Sequence, residues 1–246
     1  MTAQGEARSQ LAQQQPVNPR SKESMKHLTF YLDFISPYAY LAFELLPEVL
    51  MGLSYTVSYK PVLFAGMLKH HGQLGPAEIA PKRDWTYRQV LWLAHSRGIP
   101  LQLPASHPFN PLALLRLAVA CSPEGDPGTP NRFVCETIFR HVWRGGAKAD
   151  DAGRLDSLVQ QLAMPHAIAR DVQGPVHSEA VKAQLKKNTV EAIAQGVFGV
   201  PAFLVGDKLF WGLDSLPMLR EYLHGGPWFD GPDWNAAANV GAGVQR

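Results

Sequence analysis

The sequence predicts an α/β fold in which a βαβ unit and an αββα unit are separated by a long block of helices. Three observations predict it. An aromatic run ending in Ser36-Pro37 opens the apolar part of the chain, and a stretch of alternating polarity follows it. Strand signals then vanish from Phe64 to about Gly196, and they return as a short pair around Gly206-Asp207.

Each element has its own signal. Leu28 to Phe34 is apolar and aromatic, as a buried strand requires. Ser36 is a favoured helix cap, and Pro37 suits the first helical position because its φ is preset and its missing N–H has no helical partner. A helix is expected from Pro37 to about Leu46. Leu53 to Lys60 alternates with the period of two that marks a strand, which makes the two strands parallel. Helices follow from Pro81 to Gly98, Pro111 to Cys121, Asn131 to Arg144, Leu155 to Ala163, His166 to Val172 and Ser178 to Gln195. Pro123 to Pro130 is a Pro/Gly-rich loop, and Gly145-Gly146 ends the helix before it. Ala202 to Val205 and Leu209 to Trp211 form a hairpin about Gly206-Asp207. Asp214 caps a closing helix whose first turn contains Pro217.

The domain organisation follows. Residues 1–26 are a polar, disordered tail, and 226–246, rich in Gly, Ala, Pro and Asn, form a flexible one. Residues 27–63 and 196–225, with the helix at 178–195, make the sheet-containing unit, and 64–195 an all-helical insertion. A 246-residue chain that is 46% hydrophobic buries a sizeable core. Its net charge of +2, with the cations scattered, points to neither nucleic acid nor an anionic membrane surface. No stretch approaches the roughly 20 apolar residues that span a bilayer, and no signal-peptide core is present, so the expected location is cytoplasmic. Cys121 and Cys135 read as small buried hydrophobes; no Cys-x-x-Cys occurs, which removes dithiol chemistry. His70-His71 point about 100° apart on a helix and lack a ligand-type spacing, so no metal is expected.

The junction at Ser36 carries chemical meaning. Free N–H groups and the positive end of the helix dipole converge there, an arrangement that stabilises an anion such as a thiolate. Far along the chain, Gly199-Val200-Pro201-Ala202 precedes the returning strand. A trans proline opening a strand and a cis bond both fit that segment; the layout resembles that of DsbA-like thioredoxin folds, and the resemblance implies cis. Val200, held extended before the proline, can offer its backbone to a peptide laid alongside.

With Ser36-Pro37-Tyr38-Ala39 where a dithiol motif would stand, Gly-Val-Pro at 199–201 and Trp211-Gly212-Leu213-Asp214, the chain resembles the 2-hydroxychromene-2-carboxylate isomerase family. That family is related to the kappa-class glutathione transferases and has a DsbA-like thioredoxin fold. Further matches are Lys60-Pro61-Val62-Leu63, the run from His70 to Ile79, Pro81-Lys82-Arg83 and His107 to Pro111, so the resemblance covers about residues 27 to 225. It implies glutathione as cofactor, bound by Ser36 at the sulfur, by Val200 and Pro201 along the tripeptide backbone, and by Trp211, Gly212, Leu213 and Asp214 at the γ-glutamyl end. Gln73 and Lys82 match positions near that ligand. It implies also a small aromatic substrate, with Lys60, Lys82 and Asn110 as the groups for its carboxylate, and a homodimer. Tyr38, Trp85 and Trp92 are candidates to wall the aromatic pocket.

Serine without a neighbouring base is nearly inert, so the expected role of Ser36 is to donate a hydrogen bond to the glutathione thiolate. The reaction implied is the interconversion of 2-hydroxychromene-2-carboxylate and trans-o-hydroxybenzylidenepyruvate. Two other readings stand beside it: a kappa-type glutathione S-transferase, and a non-catalytic thioredoxin-fold module that binds peptides.

Overall fold

Four strands form one mixed sheet in the order β2-β1-β3-β4 in the computed structural model of the chain, which describes residues 25–162, 178–241 and 243. Strand β1 (Lys26–Leu32) lies parallel to β2 (Tyr55–Pro61) and antiparallel to β3 (Ala202–Val205), which pairs in turn with β4 (Lys208–Trp211). Helix α1 (Pro37–Val49) links the parallel pair, so the expected βαβ unit and hairpin are both present. The register sets Phe30 opposite Tyr59 and Phe203, and these rings make the centre of the core with Phe43 of α1.

Helix α1 runs past the expected end near Leu46 and contains Pro47. A proline frees the carbonyl four residues earlier, here that of Phe43. Arg132 donates to that oxygen at 3.4 Å and lays its guanidinium 4.2 Å from the Phe43 ring centre. A cation from the insertion thus meets the carbonyl that the proline leaves open.

The insertion comprises α2 (Phe64–His70), α3 (Ala80–Ser96), α4 (Leu112–Ala120), α5 (Arg132–Trp143), α6 (Ala152–Gln161) and α7 (Glu179–Ala194). The sequence reading missed α2, a single short helix without a side-chain cap. The expected helix at His166–Val172 lies outside the described residues. Helix α5 has the 3.6-residue spacing of Val134, Cys135, Ile138, Phe139 and Val142 that its amphipathic sequence demands, and it buries that face against α1. The insertion and the sheet therefore share one core on this side. Tyr31 and Ala202, on the opposite face, pack with Val62, Met67 and Ala192 in a second, smaller cluster.

Two expectations need correction. Residues 226–246 are not simply a flexible tail: Pro227–Asp230 form a 3-10 turn, Pro232–Ala236 form α9, and Phe229 is buried. Phe229 and Trp234 pack on Phe210 of β4, an apolar payload that the Gly/Pro-rich composition hides. Asp214 does not cap the closing helix either. A 3-10 turn over Leu213–Ser215 is interposed, and α8 (Leu216–Leu223) starts after it, with Pro217 in the first turn as expected.

Candidate functional site

The loop between β1 and α1 is held at every carbonyl. Ser36 N–H donates to the Asp33 carbonyl at 3.1 Å, Trp143 Nε1–H to that of Phe34 at 3.0 Å, and His107 Nε2–H to that of Ile35 at 2.8 Å. With Nε2 donating, His107 Nδ1 is the acceptor for the Tyr87 hydroxyl at 2.8 Å. Burial pulls the His107 pKa down, in keeping with this neutral ring. Below the loop, the fully buried Asp33 carboxylate accepts from Ile35 N–H at 3.1 Å and from Phe64 N–H at 2.9 Å. It ties the first loop to the start of α2. Burial pushes its pKa up to about 7 against the opposing effect of those N–H donors.

On this scaffold Ser36 caps α1: its Oγ accepts from Ala39 N–H at 3.2 Å. The hydroxyl proton has the Val200 carbonyl at 3.5 Å, a weak contact. Pro37 has no N–H and Tyr40 N–H is taken by the Ser36 carbonyl, so Tyr38 N–H is left as the unpartnered donor of the first turn among the described residues. Facing it, Val200-Pro201 is cis, and Val200 N–H has no partner among the described residues.

Gly212 has φ +93°, a conformation open to glycine, and its N–H donates to the Pro201 carbonyl at 2.9 Å. That twist turns the chain out of β4 and presents Asp214. Trp211 lies 4.8 Å from the Phe198 ring and covers Gly199 so closely that a Cβ there would meet its indole nitrogen.

A cavity of about 510 Å³ opens beside these groups. Val200, Pro201 and the run from Trp211 to Asp214 form one side, α1 the floor, and Gln89 and Leu93 of α3 with Arg97 just past its end the other side. The Tyr38 hydroxyl donates to Gln89 Oε1 at 2.6 Å and so joins floor to wall. Burial raises the Tyr38 pKa, and the nearby Asp214 carboxylate adds to that direction.

Of the residues singled out from sequence, Tyr38, Val200, Pro201, Trp211, Gly212, Leu213 and Asp214 line this cavity, with Ser36 hydrogen-bonded behind Val200. The others stand elsewhere. Lys60 pairs with Asp126 at 3.7 Å and with Thr129, in the Pro/Gly loop. Asn110 is exposed, and its Oδ1 accepts from Leu112 N–H at the start of α4. Gln73 and Lys82 are exposed and do not line the cavity. Trp85 and Trp92 are both 64% exposed and do not line this cavity. A second cavity, beyond His107, is lined by Arg83, the neighbour of Lys82, with Tyr87 and Pro108. The loop anchors Asp33, His107 and Trp143 were missed. One signal existed, a lone acid ending an apolar strand; the other two sit in a distant part of the chain.

Cys121 and Cys135 are free thiols; burial raises both, Cys121 to about 11, so neither supplies a thiolate near neutrality. Among the described residues no three His, Cys, Asp or Glu side chains gather as a metal would need, and no helix is long and apolar enough to cross a membrane.

The fold, a βαβ and ββα sheet interrupted by helices with a cis-proline beside the first helix, defines the class: the chain belongs to the DSBA-like thioredoxin domain family, whose profile matches residues 27–224. Its relatives within that class are more particular. It is 28% identical to 2-hydroxychromene-2-carboxylate isomerase of Sphingobium xenophagum over 80% of this chain and 98% of that one. It is equally 28% identical to glutathione S-transferase kappa 2 of Caenorhabditis elegans, over 80% and 92%. A solved 2-hydroxychromene-2-carboxylate isomerase superposes with a TM-score of 0.68 at 25% identity, covering 85% of this chain and 98% of that one.

Proposed function

We propose that the chain is a glutathione-dependent isomerase that interconverts 2-hydroxychromene-2-carboxylate and trans-o-hydroxybenzylidenepyruvate. The observation that carries this reading is the convergence beside one cavity of Tyr38 N–H, Val200 N–H and the Asp214 carboxylate, unpartnered among the described residues, with the weakly held Ser36 hydroxyl behind Val200. These are the groups a γ-glutamyl tripeptide would use. Val200 N–H takes a backbone carbonyl, Asp214 takes the ammonium, and the α1 terminus faces the sulfur. The residues present therefore fit glutathione, and the isomerase relatives support the reaction.

Bound glutathione supplies a nucleophile that adds reversibly to a conjugated double bond and so permits rotation about it. The chain's own residues do the rest. Ser36 O–H, held only weakly by the Val200 carbonyl, would donate to the sulfur, and with Tyr38 N–H it would lower the thiol pKa. The buried Asp33 and half-buried His107 keep the loop in place.

The test is calorimetry with glutathione, followed by the isomerase assay. Asp214→Ala should weaken binding, whereas Ser36→Ala should still bind but no longer depress the thiol pKa. No binding at millimolar glutathione would sink the reading and favour a peptide-binding module. Binding with conjugation of an electrophile but no isomerisation would assign the kappa-transferase reading, which the kappa relatives support. A cytoplasmic homodimer belongs to the same proposal, checked by fractionation and sedimentation.

A further inference from the structure

The cavity extends beyond the groups used above, and its far part has a distinct character. Gln89 and Leu93 lie on one stripe of α3 with Arg97, its C-terminal cap residue, a turn further on, and Tyr38, Leu41, Leu45 and Val49 lie on one stripe of α1. The hydrogen bond between Tyr38 and Gln89 marks the end near Asp214. Arg97 is eight residues further along α3, about 12 Å at the helical rise of ~1.5 Å per residue. Between the two ends the lining is apolar: Leu41, Leu45, Val49, Leu93, Leu213 and Leu216.

Arg97 is the cavity's one cationic lining residue, and Asp214 its one anionic residue. They form no ion pair with each other, and Arg97 has no hydrogen-bond or ion-pair partner for its guanidinium among the described residues. An unpaired guanidinium at the end of an apolar trough is the complement of a molecule with an apolar body and a terminal carboxylate. The cavity volume of about 510 Å³ lies within the range of small-molecule sites.

We infer that the Arg97 end of this cavity is a binding site for apolar monocarboxylates, with the carboxylate on Arg97 and the hydrocarbon body on the α1 floor. Such a ligand leaves Val200 and Asp214 free, so the site does not depend on the glutathione reading. Arg97 sets the preference for an anion, and the leucines set the preference for an apolar body.

The experiment compares 2-naphthoate with its neutral isostere 2-naphthamide, read by calorimetry. The full chain should bind the acid at least tenfold more tightly than the amide. Arg97→Met keeps the apolar stem and should abolish that preference, while Arg97→Lys should retain part of it. Arg97 is exposed at the end of α3, so an unchanged melting temperature is expected for both variants. Equal affinity for acid and amide, no binding of the acid at millimolar concentration, or an undiminished preference in Arg97→Met would overturn the site. So would a dimer that dissociates on Arg97→Glu without binding the acid, since the trough would then be covered by a second copy. Glutathione, titrated separately, should respond to Asp214→Ala and not to Arg97→Met. The two readings therefore fail independently.

Discussion

His107 of the insertion donates its Nε2–H to the carbonyl of Ile35, the residue before Ser36, at 2.8 Å. The bond joins two segments 72 positions apart and fixes the peptide that carries the candidate hydroxyl. It also explains why a helical block is threaded into the sheet unit: the block supplies the donors that the loop lacks. Trp143 does the same for Phe34.

His107→Gln should therefore act on catalysis and on pH dependence. Burial lowers the folded-state pKa of His107 below its usual value, so the unfolded chain binds more protons as pH falls. Stability from this group is complete above about pH 6.5 and declines as the pH drops toward the lowered folded value. His141 is shifted the same way and contributes in parallel. Melting temperatures of wild type and His107→Gln between pH 7.5 and 5 isolate the His107 share. The wild type should lose more on acidification, and the variant should lose turnover roughly tenfold at neutral pH through a looser Ser36 loop. A variant with the wild-type slope and turnover would remove His107 from this role.

Asp33 gives the opposite sign. Its folded pKa of about 7 exceeds the unfolded value, so the folded chain holds the extra proton between roughly pH 4 and 7. Its contribution is most favourable at low pH and is lost as pH rises through that window. Asp33→Asn should flatten the profile there. Asp33→Ala should cost more, about 2–4 kcal/mol, because Ile35 N–H and Phe64 N–H both lose a buried acceptor. Chemical denaturation at pH 5 and 8 distinguishes the two effects.

Gly212→Ala tests the turn that presents Asp214. At φ +93° a side chain is strained by about 1–2 kcal/mol, and the added Cβ would crowd the Asp214 carboxylate. Glutathione affinity should fall about tenfold by calorimetry, with a drop of a few degrees in melting temperature. Unchanged affinity would show that the turn does not matter for the ligand.

The sheet and the helix order were legible because period, cap and turn chemistry are local. Ser36-Pro37, the alternation to Lys60 and Gly206-Asp207 each act over a few residues. Val200 had a local signal, because a residue before proline is held extended, whereas Trp211 to Asp214 were singled out only through the family resemblance. Lys60 was not, because its partners Asp126 and Thr129 come from a loop whose position the sequence leaves open. His107, Trp143 and Arg97 are likewise set by how the insertion folds back, a long-range property. Asp214 was assigned a cap because Asp before an apolar run usually is one; the 3-10 turn after Gly212 moved the helix start.

Lys60→Met follows directly. The lysine spends its charge on Asp126 and Thr129, away from the cavity. The variant should keep glutathione affinity and KM within twofold of wild type, and lose less than ~1 kcal/mol of stability, as partly exposed ion pairs do. A large rise in KM would place Lys60 in the substrate site after all.

The C-terminal segment supplies the last test. Phe229 is 2% exposed, and its ring meets Phe210, Tyr222, Trp228 and Trp234. Phe210 belongs to β4, whose final residue is Trp211 of the cavity, so the segment braces the hairpin from outside. Phe229→Ala removes a packed ring and should cost about 3–5 kcal/mol. For a chain of this length that is a fall of roughly 6–20 °C in melting temperature. Truncation after Gly225 should fall at least as far and also weaken glutathione binding, because β4 loses its cover. A flexible tail would behave differently: both variants would melt with the wild type, and the aromatic cluster would then contribute nothing to the site.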